Sequence, residues 1–234
     1  MRHASLAQRR WHVHPAHAVV GVSILPSVFR SVGPREAWLA DGRRRRLVLR
    51  LICGELDGRS AVRLFQCQRL FQDRLKADCR LSFVDLAEGL SQVGPVVPTD
   101  CTVLLVQGIT ILRTDCDLEA ELLAAAHATA CDWEPGEMAV APAGLSHPLL
   151  NGVGPFLSRS GMPTPTGAGR GGVALLLGRK NGLSRPVAWA RESGGERMFH
   201  TALGCADDFS QPEFCRILAR AVRWVAGDGA TSEE

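Results

Sequence analysis

The sequence predicts an α/β domain, a three-layer sandwich with a mainly parallel sheet that ends in a C-terminal hairpin and helix. Three observations predict this class. Leu47–Ile52 is apolar except for Arg50, which is the pattern of strands buried on both faces. A strand, a helix, a strand, a loop and a strand then follow one another as far as residue 107, which is the rhythm of parallel strands joined by crossovers. Residues 185–227 have the pattern of a hairpin, a loop and an amphipathic helix.

The first half of the domain follows this rhythm in order. After the strand at Leu47–Ile52, Ser60–Lys76 is predicted to be a helix because its apolar residues fall on one face. Those residues are Ala61, Leu64, Phe65, Phe71 and Leu75. Cys79–Val84 and Thr102–Gln107 are the next predicted strands, separated by a Pro/Gly loop at Val93–Pro98.

The middle of the chain is less regular. Leu118–Ala130 is rich in Ala, Leu and Glu, which favours a helix capped by Asp115 or Asp117. Met138–Ala141 and Val173–Leu177 are predicted to be short strands. A long loop rich in Gly, Pro, Ser and Thr lies between them, so this part contributes little regular structure.

The C-terminal part carries the clearest pattern. Pro186–Arg191 and Arg197–Thr201 are predicted to form a hairpin around the glycines that follow Ser193. Ser210 is predicted to open a capping box, with proline in the first turn of the helix behind it. One face of that helix is apolar, and Gly227 is expected to end it. The apolar residues are Phe214, Ile217, Leu218, Ala221, Val222 and Val225.

Charge divides the chain into a basic arm and a mildly acidic remainder. The net charge is +3, yet residues 1–46 hold nine Arg against one Glu and one Asp. We expect residues 1–44 to be a basic, disordered extension, 45–228 to be the folded domain, and 229–234 to be a disordered tail. A basic arm can bind nucleic acid or a membrane surface. This arm has so little patterning that a solvated extension is favoured, and no nucleic-acid partner is expected. No apolar run is long enough for a membrane span.

The cysteines and the N-terminal histidines predict neither disulfides nor a metal site. None of the eight Cys forms a C-x-x-C pair, so buried packing in a reducing cytoplasm is favoured. His12, His14 and His17 lie close together, but a flexible arm gives them no ordered second shell. We therefore predict no metal and no cofactor, and the sequence is compatible with a homo-oligomer.

The pattern PVAW.R..GG.R.FHTALG…DDF..PEF..ILARAVRWVAG over residues 186–227 resembles the C-terminal signature of the ThuA-like (trehalose utilisation) family. His147–Val153 is similar to that family's HPI..G phrase. The family belongs to the class I glutamine amidotransferase-like superfamily. The resemblance implies a flavodoxin-like fold, a link to carbohydrate utilisation, and a small sugar-type ligand at the carboxyl ends of the strands.

The resemblance also implies candidate catalytic residues. It makes Leu122–Ala126 a strand with His127 on the turn behind it, whereas the residues alone are equally compatible with a histidine on an ordinary helix. His200 is expected to face away from its strand neighbours Phe199 and Thr201. Family members commonly follow this strand with Leu-Gly-His, and here the position of that histidine is taken by Cys205. The candidates are therefore His127, His200 and Cys205.

Charged residues near the same region are candidate ligand contacts. Asp207 and Asp208 could bind a cation or sugar hydroxyls, although a solvated acidic loop is the favoured interpretation. Arg191 and Arg159 could hold an anion or sugar oxygens, and surface salt bridges explain them at least as well. For His147 a structural role, hydrogen bonding to loop backbone, is favoured.

No motif predicts glutaminase chemistry. The chain has no G-x-C-x-G or G-x-S-x-G elbow, and Cys131, the cysteine nearest the expected elbow, is followed by Asp and Trp rather than by a small residue. Two hypotheses remain open. One is a ThuA-like protein that binds a sugar-type ligand, and the other is a degenerate, non-catalytic member acting as a binding or protein-interaction module. The sequence leaves open whether the protein is an enzyme.

Overall fold

The computed structural model describes residues 46–54, 58–83, 99–106, 108–113, 136–144, 146–162 and 172–227. The predicted extension over 1–44 and the predicted tail over 229–234 lie outside the described residues. Residues 115–133, where the sequence is compatible with a helix or with a strand and a turn, lie outside them as well. Every structural statement below refers to the described part of the chain.

The described strands are β1 (Val48–Cys53), β2 (Asp78–Phe83), β3 (Cys101–Leu105), β4 (Ile109–Arg113), β5 (Met138–Pro142), β6 (Phe156–Ser158), β7 (Val173–Lys180), β8 (Leu183–Ser193) and β9 (Glu196–Thr201). The helices are α1 (Gly58–Leu75) and α2 (Pro212–Ala226), with short 3-10 helices at Pro148–Leu150 and Ala206–Ser210. The predicted helix at Ser60–Lys76 and the strands before and after it are confirmed, with small shifts at their ends. The C-terminal hairpin and helix are confirmed as well.

The described strands form one mixed sheet in the order β2-β1-β3-β4-β9-β8-β7-β5-β6. β1 pairs in parallel with β2 and β3, whereas the six other described pairings are antiparallel. Both described helices contact each other and share one core with the same face of the sheet. The predicted flavodoxin-like three-layer sandwich with a mainly parallel sheet is therefore wrong, because most of this sheet is antiparallel.

One reason for that error is the end of β3. The sequence predicts one strand over Thr102–Gln107 that leads into a crossover, but β4 begins directly after Gly108 and pairs antiparallel with β3. A side-chain carbon at Gly108 would lie 2.5 Å from the carbonyl oxygen of Thr201, at the end of β9. Glycine therefore allows the chain to reverse beside β9, and the reversal replaces the expected crossover.

A second reason is the turn between β7 and β8. Asn181 and Gly182 both have positive φ, 51° and 78°, as a two-residue hairpin turn requires. β7 and β8 consequently form a long antiparallel hairpin in which Lys180 pairs with Leu183. The sequence pattern predicts a strand only as far as Leu177 and a connection over Gly178–Ser184, so this antiparallel pair was not predicted.

The helices show how far periodicity predicts burial. In α1, Leu64, Cys67 and Phe71 are fully buried in the core at three- and four-residue steps. Phe65, which the sequence predicts on the buried face, lies beside that stripe and is 56% exposed. In α2 all six predicted core residues are buried, so that prediction is confirmed.

The ends of α2 confirm one prediction and correct another. Gly227 follows the last turn in a left-handed conformation and is the predicted C-cap. The predicted capping box at Ser210 is wrong, because Gln211 is the N-cap and Ser210 closes the preceding 3-10 helix. Pro212 occupies the first turn, as predicted.

Strand direction decides which loops leave from the same end of the sheet. Two antiparallel pairings separate β3 from β9, so β9 runs in the direction of β1, β2 and β3. Four more separate β9 from β6, so β6 runs in that direction too. The loops after β6 and β9 therefore start at one end, which we call the carboxyl end of the sheet. β6 also lies close to α2, because the ring of Phe156 on β6 is 6.4 Å from the ring of Phe214 on α2.

Candidate functional site

A group of polar side chains lies at the carboxyl end of the sheet, where the segment after β6 meets the loop after β9. Ser160 comes from the first segment, and Asp208 comes from the 3-10 helix that follows the second. The two residues are hydrogen-bonded through the Ser160 hydroxyl and Asp208 Oδ2. We call this group, with the residues that contact it, the carboxyl-end site.

Asp208 is the buried centre of the site. Its side chain is 0% exposed, although an aspartate is rarely buried without partners. Oδ2 accepts hydrogen bonds from the backbone N–H groups of Gly204 (2.7 Å) and Cys205 (3.0 Å), besides the one from Ser160. Oδ1 is also buried but has no hydrogen-bond partner among the described residues. One carboxylate oxygen therefore holds the loop, and the other is left unsatisfied.

The loop in front of Asp208 is fixed from several sides. Ser160 Oγ lies 3.0 Å from the backbone nitrogens of both Gly204 and Cys205. Arg63 of α1 donates from Nε to the Gly204 carbonyl at 2.9 Å. Gly204 itself has φ of 125°, and a side-chain carbon there would lie 3.0 Å from Ile109, so the position suits glycine. α1, β4 and the segment after β6 thus set the shape of this loop together.

The outer part of the site is charged and open to solvent. Arg159 Nη1 lies 3.4 Å from Asp207 Oδ2, and Arg159 Nε lies 3.7 Å from Glu137 Oε2. The three side chains are 65%, 61% and 52% exposed, in the order Arg159, Asp207, Glu137. Ion pairs this exposed contribute little to stability, and their donors and acceptors can exchange to a bound molecule at small cost.

The two aspartates predicted as ligand contacts therefore differ in environment. Asp207 is exposed and matches the expectation of a solvated acidic residue, whereas Asp208 is buried and hydrogen-bonded. Cys205 lies on the same loop, and its backbone N–H is bonded to the site. Arg159, Cys205, Asp207 and Asp208 are thus brought together by the fold.

His200 occupies a different environment. It is buried on β9, where its Nδ1 lies 2.8 Å from Thr110 Oγ1 and its ring is 5.5 Å from that of Trp189. Burial lowers the pKa of His200 to about 4, so the imidazole is neutral near neutral pH. His200 faces away from the helix-side core that contains Phe199, as alternation predicts. No hydrogen bond in the described chain joins it to Cys205.

Two other predicted residues lie away from the site. Arg191 pairs with Met198 next to the β8–β9 turn, at the opposite end of the sheet from Asp207. Of the two arginines expected at one edge of the sheet, Arg159 therefore lies beside Asp207 and Arg191 does not. His147 caps the 3-10 helix at Pro148–Leu150, where its Nδ1 accepts from the Leu149 N–H at 3.3 Å. The predicted structural role of His147 is confirmed. His127 and Cys131 lie outside the described residues.

The described thiols include buried groups that resist ionisation. Burial raises the pKa of Cys67 and Cys215, and it raises the pKa of Cys79 to about 11. A protonated thiol is neither a nucleophile nor a metal ligand, which agrees with the packing role predicted for the cysteines. Within the described ranges, no group of three or more His, Cys, Asp or Glu is arranged to hold a metal ion. The same part of the chain contains no helix long and apolar enough to cross a membrane.

Ser160, Arg63 and Glu137 belong to the site but were not singled out from the sequence. Ser160 lies in a stretch whose composition predicts only a loop, and Arg63 lies on an ordinary amphipathic helix. The local signal that could have pointed to this region is the Asp207-Asp208 pair, in the loop that connects a strand to a helix. Ser160 contacts Asp208 from 48 residues away, and Arg63 contacts the Gly204 carbonyl from 141 residues away; no local pattern encodes such contacts.

The comparisons with known proteins bear on the fold. No family model matches the chain, and a search of curated proteins finds no match. Among solved structures, the fold is similar to that of a protein from Bacteroides uniformis described as ThuA-like. That match has a TM-score of 0.52 at 13% sequence identity and covers 77% of this chain and 91% of the other. At this identity the likeness shows the fold alone.

Proposed function

We propose that this chain is a ThuA-like domain protein linked to carbohydrate utilisation, which binds a small sugar-type ligand at the carboxyl end of its sheet. The observation that carries the proposal is the group formed by Arg159, Asp207 and Glu137 around the buried Asp208. The fold it shares with a protein described as ThuA-like supports the family, and the signature over residues 186–227 supports it independently.

The chemistry of the group suits sugar hydroxyls. A hydroxyl both donates and accepts hydrogen bonds, and Arg159 offers donors beside the acceptors of Asp207 and Glu137. Bonds to charged partners are stronger than neutral ones, so a few such contacts can orient a small polar molecule. Open α/β sheets commonly bind ligands beyond the carboxyl ends of their parallel strands, and the group lies at the end of the sheet where the parallel strands β1, β2 and β3 finish.

The second candidate is a non-catalytic binding or protein-interaction module, a degenerate member of the family. His200 favours it, because this residue is buried, neutral and engaged by Thr110 rather than poised at the site. A general base must reach the proton it removes, and the position of His200 gives it no hydrogen bond to the carboxyl-end site within the described chain. Both candidates share the binding role, so binding is the property to test first.

Calorimetric titration with trehalose and glucose tests that role. We expect the wild-type protein to bind at least one of these sugars, and we expect Asp207→Asn to weaken binding about tenfold by removing a charged acceptor. Glu192→Gln is the matched control. Glu192 also forms an exposed ion pair, 2.9 Å from Arg197, but it lies at the opposite end of the sheet.

The variants separate the outcomes. Equal weakening by Asp207→Asn and Glu192→Gln would indicate a general effect of surface charge and would remove the carboxyl-end site from ligand binding. Absence of any heat from either sugar with the wild-type protein would overturn the sugar-binding role. Binding that is lost in Asp207→Asn and kept in Glu192→Gln would support it.

A further inference from the structure

We infer that the carboxyl-end site selects neutral sugars over sugar acids and sugar phosphates, with the buried oxygens Asp208 Oδ1 and Gln66 Oε1 as acceptors that demand hydrogen-bond donors from the ligand. The inference rests on the proposed function and deepens it by naming the ligand class. It also adds Gln66 to the site.

The first observation is that two buried oxygens of the described residues lack hydrogen-bond partners there, and both belong to residues that contact the same loop. They are Asp208 Oδ1 and Gln66 Oε1. Gln66 Nε2 donates to the Ala206 carbonyl at 3.3 Å, which leaves its Oε1 as the free acceptor of the amide. A buried acceptor without a hydrogen bond is destabilising, so a ligand that supplies donors recovers free energy here.

The second observation is the way in which Asp208 is held. Its Oδ2 is already occupied by the backbone N–H groups of Gly204 and Cys205 and by the Ser160 hydroxyl. These contacts fix the carboxylate, so Oδ1 cannot rotate into the place of Oδ2 without breaking them. Ser160 is therefore a positioning residue, which keeps Oδ1 available as an acceptor.

The third observation is the balance of charge around the site. Among the described residues, the site holds three carboxylates, those of Glu137, Asp207 and Asp208, and two guanidinium groups, those of Arg63 and Arg159. Arg63 Nε donates a hydrogen bond to the Gly204 carbonyl, and Arg159 forms ion pairs with both Glu137 and Asp207. An anionic ligand would therefore meet excess negative charge, and its own carboxylate or phosphate oxygens accept hydrogen bonds but donate none.

Calorimetric titration of the intact chain with four probes tests the selectivity. The probes are trehalose, D-glucose, D-glucuronate and D-glucose 6-phosphate. We expect the tighter of the two neutral sugars to bind wild-type protein at least about tenfold more strongly than either anionic probe, because like charges brought together across an interface cost several kcal/mol. This arm needs no variant, so it stands even if a substitution in the buried site unfolds the protein.

Asp208→Asn forms the second arm. The amide keeps one oxygen for the Gly204 and Cys205 N–H groups and replaces the other oxygen by a neutral donor. We expect the preference for the neutral sugar to fall at least about threefold, with unchanged preference in the control Glu192→Gln. Near-ultraviolet circular dichroism of each variant establishes that the fold is retained.

The outcomes distinguish this inference from the function on which it rests. Binding of glucuronate or glucose 6-phosphate as tight as that of the neutral sugars would overturn the selectivity and leave the sugar-binding role intact. A folded Asp208→Asn variant with the wild-type preference would remove Asp208 as the selecting acceptor. Failure of all four probes to bind the wild-type protein would overturn both.

Discussion

Ser160 and Asp208 lie 48 residues apart in the sequence, and the hydroxyl of one is hydrogen-bonded to the carboxylate of the other. The residues that precede them, Arg159 and Asp207, are also 48 residues apart and form an ion pair of 3.4 Å. Two adjacent cross-links thus join the segment after β6 to the loop after β9. The inner link is buried on its aspartate side, and the outer link is exposed. The inner link therefore shapes the loop through Asp208 Oδ2, and the outer link is open to a ligand.

Removal of the inner carboxylate should destabilise the fold. Asp208→Ala deprives the Gly204 and Cys205 N–H groups of their charged acceptor, and we expect a loss of about 1–3 kcal/mol in the free energy of unfolding. Urea unfolding followed by circular dichroism measures it. Asp73→Ala is the control, because Asp73 forms an exposed pair with Arg69 within α1 and should cost less than about 1 kcal/mol. Equal losses in the two variants would contradict the structural role of Asp208.

The reversal after β3 depends on the lack of a side chain at Gly108. A methyl group there would meet the Thr201 carbonyl oxygen at 2.5 Å, so Gly108→Ala should destabilise by about 1–3 kcal/mol as the hairpin shifts away from β9. Gly154→Ala is the matched control, since a side-chain carbon at Gly154 meets nothing within 4 Å. Thermal unfolding of both variants tests the prediction. A Gly108→Ala protein as stable as Gly154→Ala would show that the two strands do not approach this closely.

Two phenylalanines on α1 provide a direct test of the core. Phe71 is fully buried, whereas Phe65 is 56% exposed, although the sequence pattern predicts both on one face. Phe71→Ala should cost about 3–5 kcal/mol, because it removes buried apolar surface and leaves a cavity. Phe65→Ala should cost much less, and denaturant unfolding gives both values. A larger loss for Phe65→Ala would mean that the helix is rotated relative to the sheet.

Acid should destabilise the protein through His200. Its pKa is about 4 in the fold, below the ordinary value of 6.5, so the folded state favours the neutral form. The stability that neutral His200 contributes to the fold is fully present above pH 6.5. It is lost as the pH falls towards 4, and the total loss in the free energy of unfolding is about 3 kcal/mol. Unfolding free energies at pH 7 and pH 4 measure the loss. The glutamine of His200→Gln cannot titrate, so the variant should lose about 3 kcal/mol less unfolding free energy between pH 7 and pH 4. An equal loss in both proteins would contradict the low pKa of His200.

Sequence periodicity predicted the elements whose packing is local. The stripe on α2 and the β8–β9 hairpin follow from the spacing of apolar residues and from the glycines at the turn. Strand direction was not predictable in the same way, because it depends on which strands pair across the chain. The Asn181-Gly182 dipeptide did signal a hairpin, and a strand prediction that respected it would have made β7 and β8 antiparallel.

The candidate site was predictable only in part. Asp207 and Asp208 were recognisable from their place between a strand and a helix, but one acid is exposed and the other buried. Burial of Asp208 depends on Ser160, and the environment of His200 depends on Thr110, 90 residues away. Such contacts are set by the order of strands in the sheet. A residue's chemistry can therefore be proposed from sequence, whereas its protonation and partners require the fold.

The location of the ligand is the central claim, and amide chemical shifts test it most directly. Nitrogen-15 spectra of the labelled protein, recorded during titration with trehalose and with glucose, report on each backbone N–H group. We predict that the amides of Gly204 and Cys205, at the carboxyl end of the sheet, shift with the added sugar. Those of Gly194 and Gly195, in the turn at the opposite end, should stay in place. Shifts confined to Gly194 and Gly195, or an unchanged spectrum at saturating sugar, would contradict the account.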